Sequence, residues 1–198
     1  MTLNSLGKTQ LILLLVLWTA SPGLALPSSQ DEPVEGEASE VSGPGDPQSH
    51  LAATVGEWDM AIRVWTNPKS EPVETRGSAT ANWILGDHFV ETRLEGEVLD
   101  TTFEGLRIEG YDVAASRFVS TWRDSRGTYT LVFDGKCDAT CAIRTMTADF
   151  TDPVSKTELG IKSVTTIISD DSYRYESYIV TPSGTEIKNM EFEATRKP

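Results

Sequence analysis

Apolar and polar residues alternate with a period of two along almost the whole chain from Gly56 onwards. In the first run, Trp58 and Met60 fall on one side and Asp59 falls on the other. Successive side chains of a strand point to opposite faces, so this period predicts half-buried antiparallel strands. Short segments rich in Gly, Pro, Asp and Ser separate the runs, as turns do. We predict about ten strands, over residues 57–66, 73–85, 88–97, 102–111, 117–123, 127–134, 141–149, 157–168, 172–180 and 186–196.

One segment, residues 47–55, has helical character, with Ser49 as a candidate N-cap and Gly56 as its end. Strands that follow one another through short turns, with no helix between them, indicate an up-and-down meander. Closing this meander into a barrel removes two exposed strand edges. The sequence therefore predicts an all-β protein, an up-and-down antiparallel barrel of about ten strands with a short N-terminal helix closing one end. A two-sheet sandwich with crossed connections is the alternative.

The alternation also predicts which side chains point into the barrel. Most of them are apolar: Met60, Ile62, Leu94, Leu106, Ile108, Phe118, Trp122, Leu131, Phe133 and Tyr175. A few polar residues share those faces: His88, Thr92, Ser120, Tyr129, Tyr173 and Ser177. An apolar cavity with a few directed polar groups is typical of a small-molecule site, although a filled core has the same composition. The width of such a barrel favours a cavity. The candidate ligand-binding residues are His88, Thr92, Ser120, Trp122, Tyr129 and Tyr175.

The first 49 residues differ in composition from the rest. Lys8 precedes a short apolar run, residues 11–18, and the small residues Gly23 and Ala25 form a small-x-small cleavage site, which predicts a signal peptide over residues 1–25. An uncleaved anchor is the alternative, but the run is too short to span a membrane. Residues 26–49 hold six acidic residues, four prolines and no Lys or Arg, which predicts a disordered acidic linker. We therefore expect an exported protein, periplasmic or extracellular, whose barrel domain spans residues 50–198.

The predicted domain is acidic, with 16 basic and 24 acidic residues in positions 51–198. A surface of this charge argues against nucleic acid and anionic membranes as partners. Cys137 and Cys141 are separated by three residues, a spacing that places them opposite each other in a hairpin. Together with export, this spacing predicts a disulfide bond. The alternatives are a metal site, which lacks a nearby histidine, and a redox pair, which usually has two residues between its cysteines.

Three residues resemble a signature of the calycin superfamily, the lipocalins and their relatives. Gly56 and Trp58 stand at the start of the first strand, after the short helix, and Arg196 stands near the end of the last strand. The resemblance implies that Trp58 plugs the closed end of the barrel and that Arg196 packs over its indole. The alternation agrees, because Trp58 and Arg196 both fall on the apolar faces of their strands.

Longer segments resemble a bacterial family known only as domain of unknown function 1579. The segments are VGEWDMAIRVW, TRGSATANWILGDHFVET, FEGLRIEGYDVAASRFVSTWRDS and MEFEATRK, and the resemblance covers about residues 50–197. The chain departs from the family at Asp87 and His88, where small residues are expected, and the Cys137 and Cys141 pair is particular to it. The resemblance implies a calycin-like barrel, and it implies no chemistry, so no catalytic residue is carried over.

The residues themselves indicate little chemistry. The domain has two histidines, no Gly-x-Ser-x-Gly segment and no metal-ligand spacing, so we predict no catalytic residue, no metal site and no cofactor. Our first hypothesis is a non-enzymatic barrel that binds a small hydrophobic or amphipathic molecule in its lumen. One alternative is an isomerase-type or hydrolase-type enzyme that uses His88 or a lumen tyrosine as acid or base. The other is a structural or protein-interaction module with a filled core.

Overall fold

A computed structural model of the chain describes residues 47–98, 101–152 and 155–198. The predicted signal peptide lies outside these residues. The predicted acidic linker lies outside them too, except for residues 47–49, which form the start of the helix described next.

The described residues form one short helix and ten strands. These are α1 (Pro47–Ala53), β1 (Gly56–Val64), β2 (Val73–Ile84), β3 (Phe89–Val98), β4 (Thr101–Asp112), β5 (Arg117–Asp124), β6 (Leu131–Cys137), β7 (Ile143–Thr151), β8 (Glu158–Ser169), β9 (Ser172–Val180) and β10 (Glu186–Arg196). Each boundary lies within a few residues of the prediction. The largest difference is at β6, which starts at Leu131 because residues 127–130 belong to the preceding loop.

The strands form a closed antiparallel barrel in which each strand pairs with its neighbours in sequence. The first and last strands complete the ring, with Trp58 opposite Arg196 at one end of the pair and Val64 opposite Met190 at the other. The predicted up-and-down barrel of ten strands is confirmed, and the two-sheet alternative is wrong. Closure leaves no strand edge along this ring for pairing with another chain.

Helix α1 lies at the end of the barrel where β1 begins, which we call the closed end. His50 of the helix contacts the turn between β6 and β7, with its Nδ1 2.7 Å from the Cys141 carbonyl oxygen. Gln48 Nε2 donates to the Asp87 carbonyl oxygen in the turn between β2 and β3, at 3.0 Å. Leu51, also in the helix, is fully buried. The loops 65–72, 125–130 and 181–185 lie at the opposite end, which we call the mouth.

Trp58 and Arg196 form the central contact of the closed end. The Trp58 indole is fully buried, and the Arg196 guanidinium carbon lies 4.2 Å from the centre of its ring. Arg196 Nη1 donates to the Val55 carbonyl oxygen at 2.8 Å, and its Nε and Nη2 donate to the Asp170 carbonyl oxygen. The indole Nε1 donates to the Thr54 carbonyl oxygen at 2.9 Å. A partly desolvated cation over an indole contributes about 1–2 kcal/mol, and the charged hydrogen bonds add to this.

Gly56 is the position where this contact requires a glycine. Its φ angle is +130°, a conformation that residues with a side chain rarely adopt. A Cβ atom at this position would also lie 2.3 Å from Arg196 Nη1. The glycine that precedes the tryptophan therefore gives the guanidinium room to lie over the indole.

Cys137 and Cys141 lie at disulfide distance, with their Sγ atoms 2.07 Å apart. Cys137 ends β6, and Cys141 lies buried in the following turn with a positive φ angle of 51°. The bridge therefore closes the turn whose carbonyl group holds His50.

The inward face of β4 is the opposite of the one that we predicted. Leu106 and Ile108 lie on the outer face of the strand and do not line the lumen. Arg107 and Glu109 point inwards instead. The neighbouring strands agree, because Arg107 pairs with the inward-facing Thr92 of β3. The rule that apolar residues face inwards fails here because two charged residues point into the barrel, Glu109 buried and Arg107 half-buried.

Replacing Gly56 with alanine tests the closed end. We expect the Gly56→Ala variant to lose about 1–3 kcal/mol from the strained backbone conformation, and a further amount from the displaced guanidinium. The matched control is Gly184→Ala, because Gly184 also has a positive φ of +81° but has no atom within 4 Å of the added Cβ. Urea unfolding measures both variants. An equal loss in the two would show that the contact of Arg196 with Trp58 does not depend on Gly56.

Candidate functional site

The barrel encloses a cavity of about 180 Å³ between the closed end and the mouth. Its wall is mostly apolar and includes Val90, Leu94, Leu131, Phe133, Ile161 and Phe192. This volume is similar to that of an engineered apolar cavity of about 150 Å³ that holds benzene. The cavity therefore has room for a molecule with one ring or a short chain.

A group of three charged side chains lies at the bottom of this cavity, near the closed end. Arg107 and Glu109 come from β4 and Arg144 comes from β7; we call them the charged cluster. Arg144 Nη1 donates to Glu109 Oε1, and its Nη2 donates to Thr165 Oγ1 at 3.3 Å. Arg107 Nε lies 3.4 Å from Glu109 Oε2. One carboxylate is thus shared between two guanidinium groups.

The charged cluster is also held by aromatic rings. The Arg144 guanidinium carbon lies 5.1 Å from the centre of the Phe118 ring. The Arg107 guanidinium carbon lies 5.2 Å from the centre of the Tyr175 ring, which in turn stacks on Phe192. Guanidinium groups pack well against such rings because they are planar and weakly hydrated. The rings therefore help to position both cations.

Both guanidinium groups and the carboxylate stay charged in the folded barrel. Burial raises the pKa of Glu109, but the positive charges of Arg144 and Arg107 outweigh this effect and leave it lowered. Burial lowers the pKa of Arg144, yet a guanidinium starts so high that it remains protonated. Burial also opposes the charge of Arg107, but the Glu109 carboxylate together with Tyr175 and Tyr173 outweighs it and raises the pKa of Arg107. The charged cluster therefore has a net charge of about +1.

The charged cluster has hydrogen-bonding capacity left over. Among the described residues, three of its buried atoms make no hydrogen bond: Arg107 Nε, Glu109 Oε2 and Arg144 Nε. Ser120 of β5, which pairs with Glu109 of β4, is buried beside the cluster, and its Oγ makes no hydrogen bond either. Buried polar atoms nearly always have a partner in folded proteins. The bottom of the cavity is therefore suited to a polar group of a bound molecule.

His50 of helix α1 lies next to the charged cluster and is neutral. Burial, reinforced by the positive charge of Arg144, lowers the pKa of His50 to about 4. The Cys141 carbonyl group can only accept, so Nδ1 of the neutral ring carries the proton and donates to it. The histidine ring thus adds no charge to the cluster near pH 7.

Aromatic side chains lie on one side of the mouth, where β4, β5 and the loop after β5 meet. Phe103 and Trp122 stack with their ring centres 6.0 Å apart. Asp124 holds the loop after β5: its Oδ2 accepts from Trp122 Nε1 at 3.0 Å and from the Tyr129 hydroxyl at 2.7 Å, and its Oδ1 accepts from the Arg126 amide. Burial and this hydrogen bond to Asp124 raise the pKa of Tyr129 to about 12.

Gly105 makes the position of the mouth indole possible. A Cβ atom on Gly105 would lie 2.2 Å from the outer edge of the Trp122 ring. The indole therefore lies against the bare backbone of β4.

Four of the six candidate residues line the cavity: Thr92, Trp122, Tyr129 and Tyr175. Ser120 is buried on an inward face, next to Glu109, but does not line the cavity. The expectation that His88 faces the lumen is wrong, because the strand starts one residue later and His88 lies in the exposed turn before it. Whether these residues bind a ligand stays a prediction.

Sequence reasoning missed Arg107, Glu109 and Arg144. One signal in the sequence could have revealed the first two. The odd-numbered positions of β4 share one face, and they include Arg107 and Glu109. Phe103 and Tyr111 stand at the two ends of the same face, so aromatic residues mark it as the inward one. Arg144 has no comparable local signal, because its partner is 35 residues away in the sequence.

The described residues contain neither a metal site nor a membrane-spanning helix. Among them, no group of three or more His, Cys, Asp or Glu residues is arranged to hold a metal ion. Within the same residues, no helix has the length and apolar character that crossing a membrane requires.

One known protein family matches most of the chain. The family described as protein of unknown function (DUF1579) matches residues 43–196. The chain belongs to this family. No match is found among curated proteins.

Solved structures show a similar barrel. An S-type phycobiliprotein lyase from Guillardia theta is 11% identical to this DUF1579 chain, with a TM-score of 0.53, over 76% of this chain and 92% of the lyase. A protein of unknown function from the DUF3598 family of Nostoc punctiforme is 6% identical over 77% of this chain and 99% of that one, but the TM-score of 0.23 supports no argument. At this level of identity, the likeness to the lyase shows the fold alone.

The stability of the barrel should fall in acid because of His50. Its pKa is lower in the folded protein, about 4, than in an unfolded chain, about 6.5. The buried, neutral His50 therefore contributes to the free energy of unfolding. This contribution is fully present above pH 6.5 and is lost as the pH falls towards 4, because the unfolded chain then binds a proton that the folded protein does not. Between pH 7 and 4.5 the wild type should lose about 2 kcal/mol through this group, and His50→Asn should not.

Urea unfolding at the two pH values measures this difference. The matched control is His88→Asn, which removes the exposed histidine and should keep the full pH dependence of the wild type. If His50→Asn and His88→Asn lose the same stability in acid, His50 is not the group responsible.

Removal of the Asp124 carboxylate should loosen the mouth. In Asp124→Ala we expect hydrogen exchange of the Arg126 amide and the Trp122 indole to become roughly tenfold faster or more, because each loses a bond to a charged acceptor. NMR exchange measures both protons. The control Asp134→Ala removes an exposed carboxylate from the neighbouring strand, paired with Arg117, and should change neither rate. Unchanged exchange in Asp124→Ala would contradict this role.

Proposed function

We propose that this protein is an exported barrel that binds a small amphipathic molecule in its lumen. The observation that carries the proposal is the charged cluster at the bottom of a mostly apolar cavity. Small-molecule sites have this composition, with apolar walls and a few polar groups that fix orientation. A purely structural barrel would gain more from filling the same space with apolar side chains, because buried charges are costly to desolvate.

The positions of the polar and apolar residues that line the cavity support an amphipathic rather than a purely apolar molecule. The polar end would lie at the charged cluster, near Arg107, and the apolar body would lie along Leu94 and Phe133 towards the mouth. The aromatic rings of Phe103 and Trp122 would contact the end of the body nearest the solvent. A volume of about 180 Å³ fits a compact molecule.

Export is supported by the sequence. Residues 1–25 have the charged start, short apolar run and small residues of a signal peptide. The cysteine pair at disulfide distance suits an oxidising compartment. The bound molecule would then come from the periplasm or the medium.

Native mass spectrometry of the full chain, expressed and purified from its own host, tests the proposal. We expect a mass that corresponds to cleavage after Ala25, together with a bound small molecule. In Thr92→Phe, which places a ring inside the cavity, the molecule should be lost. In the control Thr147→Phe, which places the same ring on the exposed outer face of β7, it should remain. No bound molecule in the wild type, or equal retention in both variants, would contradict a lumen site.

A further inference from the structure

We propose that the charged cluster is the head-group site for a small carboxylate monoanion. This inference rests on the proposed function, because it names the chemical class of the molecule in the lumen. The carboxylate would bind Arg107, and its apolar body would extend along the lumen wall towards Trp122 at the mouth.

The charge of the cluster indicates an anion. Two guanidinium groups share one carboxylate, and the adjacent His50 is neutral near pH 7, so one positive charge lacks a partner inside the barrel. Removing a charge from water without compensation costs several kcal/mol. One bound negative charge would bring the cluster to zero, whereas a dianion would leave the opposite excess.

The other charged side chains that line the cavity do not supply this compensation. Asp124 and Arg126 both lie at the mouth, at the far end of the lumen, and they carry opposite charges. Among the described residues that line the cavity, Glu109 is the single carboxylate near the closed end.

Differences in exposure identify the residue that would contact the ligand. Arg144 has a side-chain exposure of 2% and is bound to Glu109 and Thr165, and Glu109 is 5% exposed. Arg107 is 15% exposed, and its distance of 3.4 Å to the shared carboxylate is long for a strong ion pair. The guanidinium of Arg107 is therefore the one that faces the open part of the cavity, where it would bind a carboxylate with two parallel hydrogen bonds.

Apolar walls and a small volume define the rest of the molecule. Between the charged cluster and the mouth, the cavity is lined by Leu94, Leu131, Phe133 and Phe192. With about 180 Å³ available, one ring or a short chain would fit behind the carboxylate. Phenylacetate has this form, and phenylacetamide is its neutral counterpart of the same size.

NMR titration of the full chain with these two probes tests the inference on the wild type. We expect both probes to shift the signals of lumen residues, including the Trp122 indole, and phenylacetate to bind at least tenfold more tightly. The preference should weaken as salt is raised, because it comes from charge.

Three variants test the role of Arg107. In Arg107→Gln, phenylacetate should lose its preference of at least tenfold, while phenylacetamide should bind as it does to the wild type. Arg107→Lys keeps the charge without the paired donors, so it should show an intermediate preference and provides a second test if the glutamine variant does not fold. The control is Arg93→Gln, which removes the same charge from the outer face, where Arg93 is 65% exposed and pairs with Glu91. It should bind both probes as the wild type does.

The outcomes separate this inference from the proposed function. Equal binding of both probes in the lumen overturns the anionic head group and leaves a lumen ligand in place. A preference that survives in Arg107→Gln overturns the role of Arg107. If neither probe binds, the head-group inference fails for compact carboxylates, and the native mass spectrometry result decides the proposed function independently.

Discussion

The structure depends on the pairing of its first strand with its last. Only where β1 meets β10 does a pair of strands come from opposite ends of the domain, and Trp58 and Arg196 stand opposite each other there. The buried indole gives the guanidinium a surface to pack on, and the guanidinium binds carbonyl groups both before β1, at Val55, and after β8, at Asp170. One arginine therefore connects three segments that are distant in the sequence. Without closure the lumen would not exist, and every inward-facing residue would lie on an open sheet.

The closed end and the bottom of the cavity form one continuous structure. The bridge between Cys137 and Cys141 closes a turn, the Cys141 carbonyl group holds His50, and His50 lies beside Arg144 of the charged cluster. A neutral histidine is the side chain that this position tolerates, because a second positive charge beside Arg144 would repel it. The buried His50 therefore connects helix α1 with both the bridged turn and the charged cluster.

Local patterns in the sequence predict most of the fold and little of the site. The period of two defined all ten strands, because each strand has one face towards the lumen and one towards water. It failed for β4, where Leu106 and Ile108 are apolar but lie outside. Leu106 is paired there with Arg93 and Arg123 of the neighbouring strands. Arginine stems can cover apolar neighbours on such a surface.

The charged cluster shows why pairing across the barrel is harder to predict than strand position. Arg107, Glu109 and Arg144 each look like ordinary surface residues when their strands are read singly. They become a site because the curvature of the barrel brings the inward faces of β4 and β7, which are separated by β5 and β6, into contact. There the Glu109 carboxylate compensates one of the two guanidinium charges. His88 is the converse case. Its position in the sequence fits the period of two in β3. The turn before β3 extends one residue further than predicted, however, and leaves His88 exposed to solvent.

The missing side chain of Gly105 has a consequence for the wall of the cavity. The outer edge of the Trp122 ring occupies the space that even a single methyl group on β4 would need. Any larger residue at this position would displace the indole, which lines the cavity. Part of the lumen surface is therefore set by a side chain that is absent from the neighbouring strand, so a substitution there would reshape the lumen without replacing any residue that lines it.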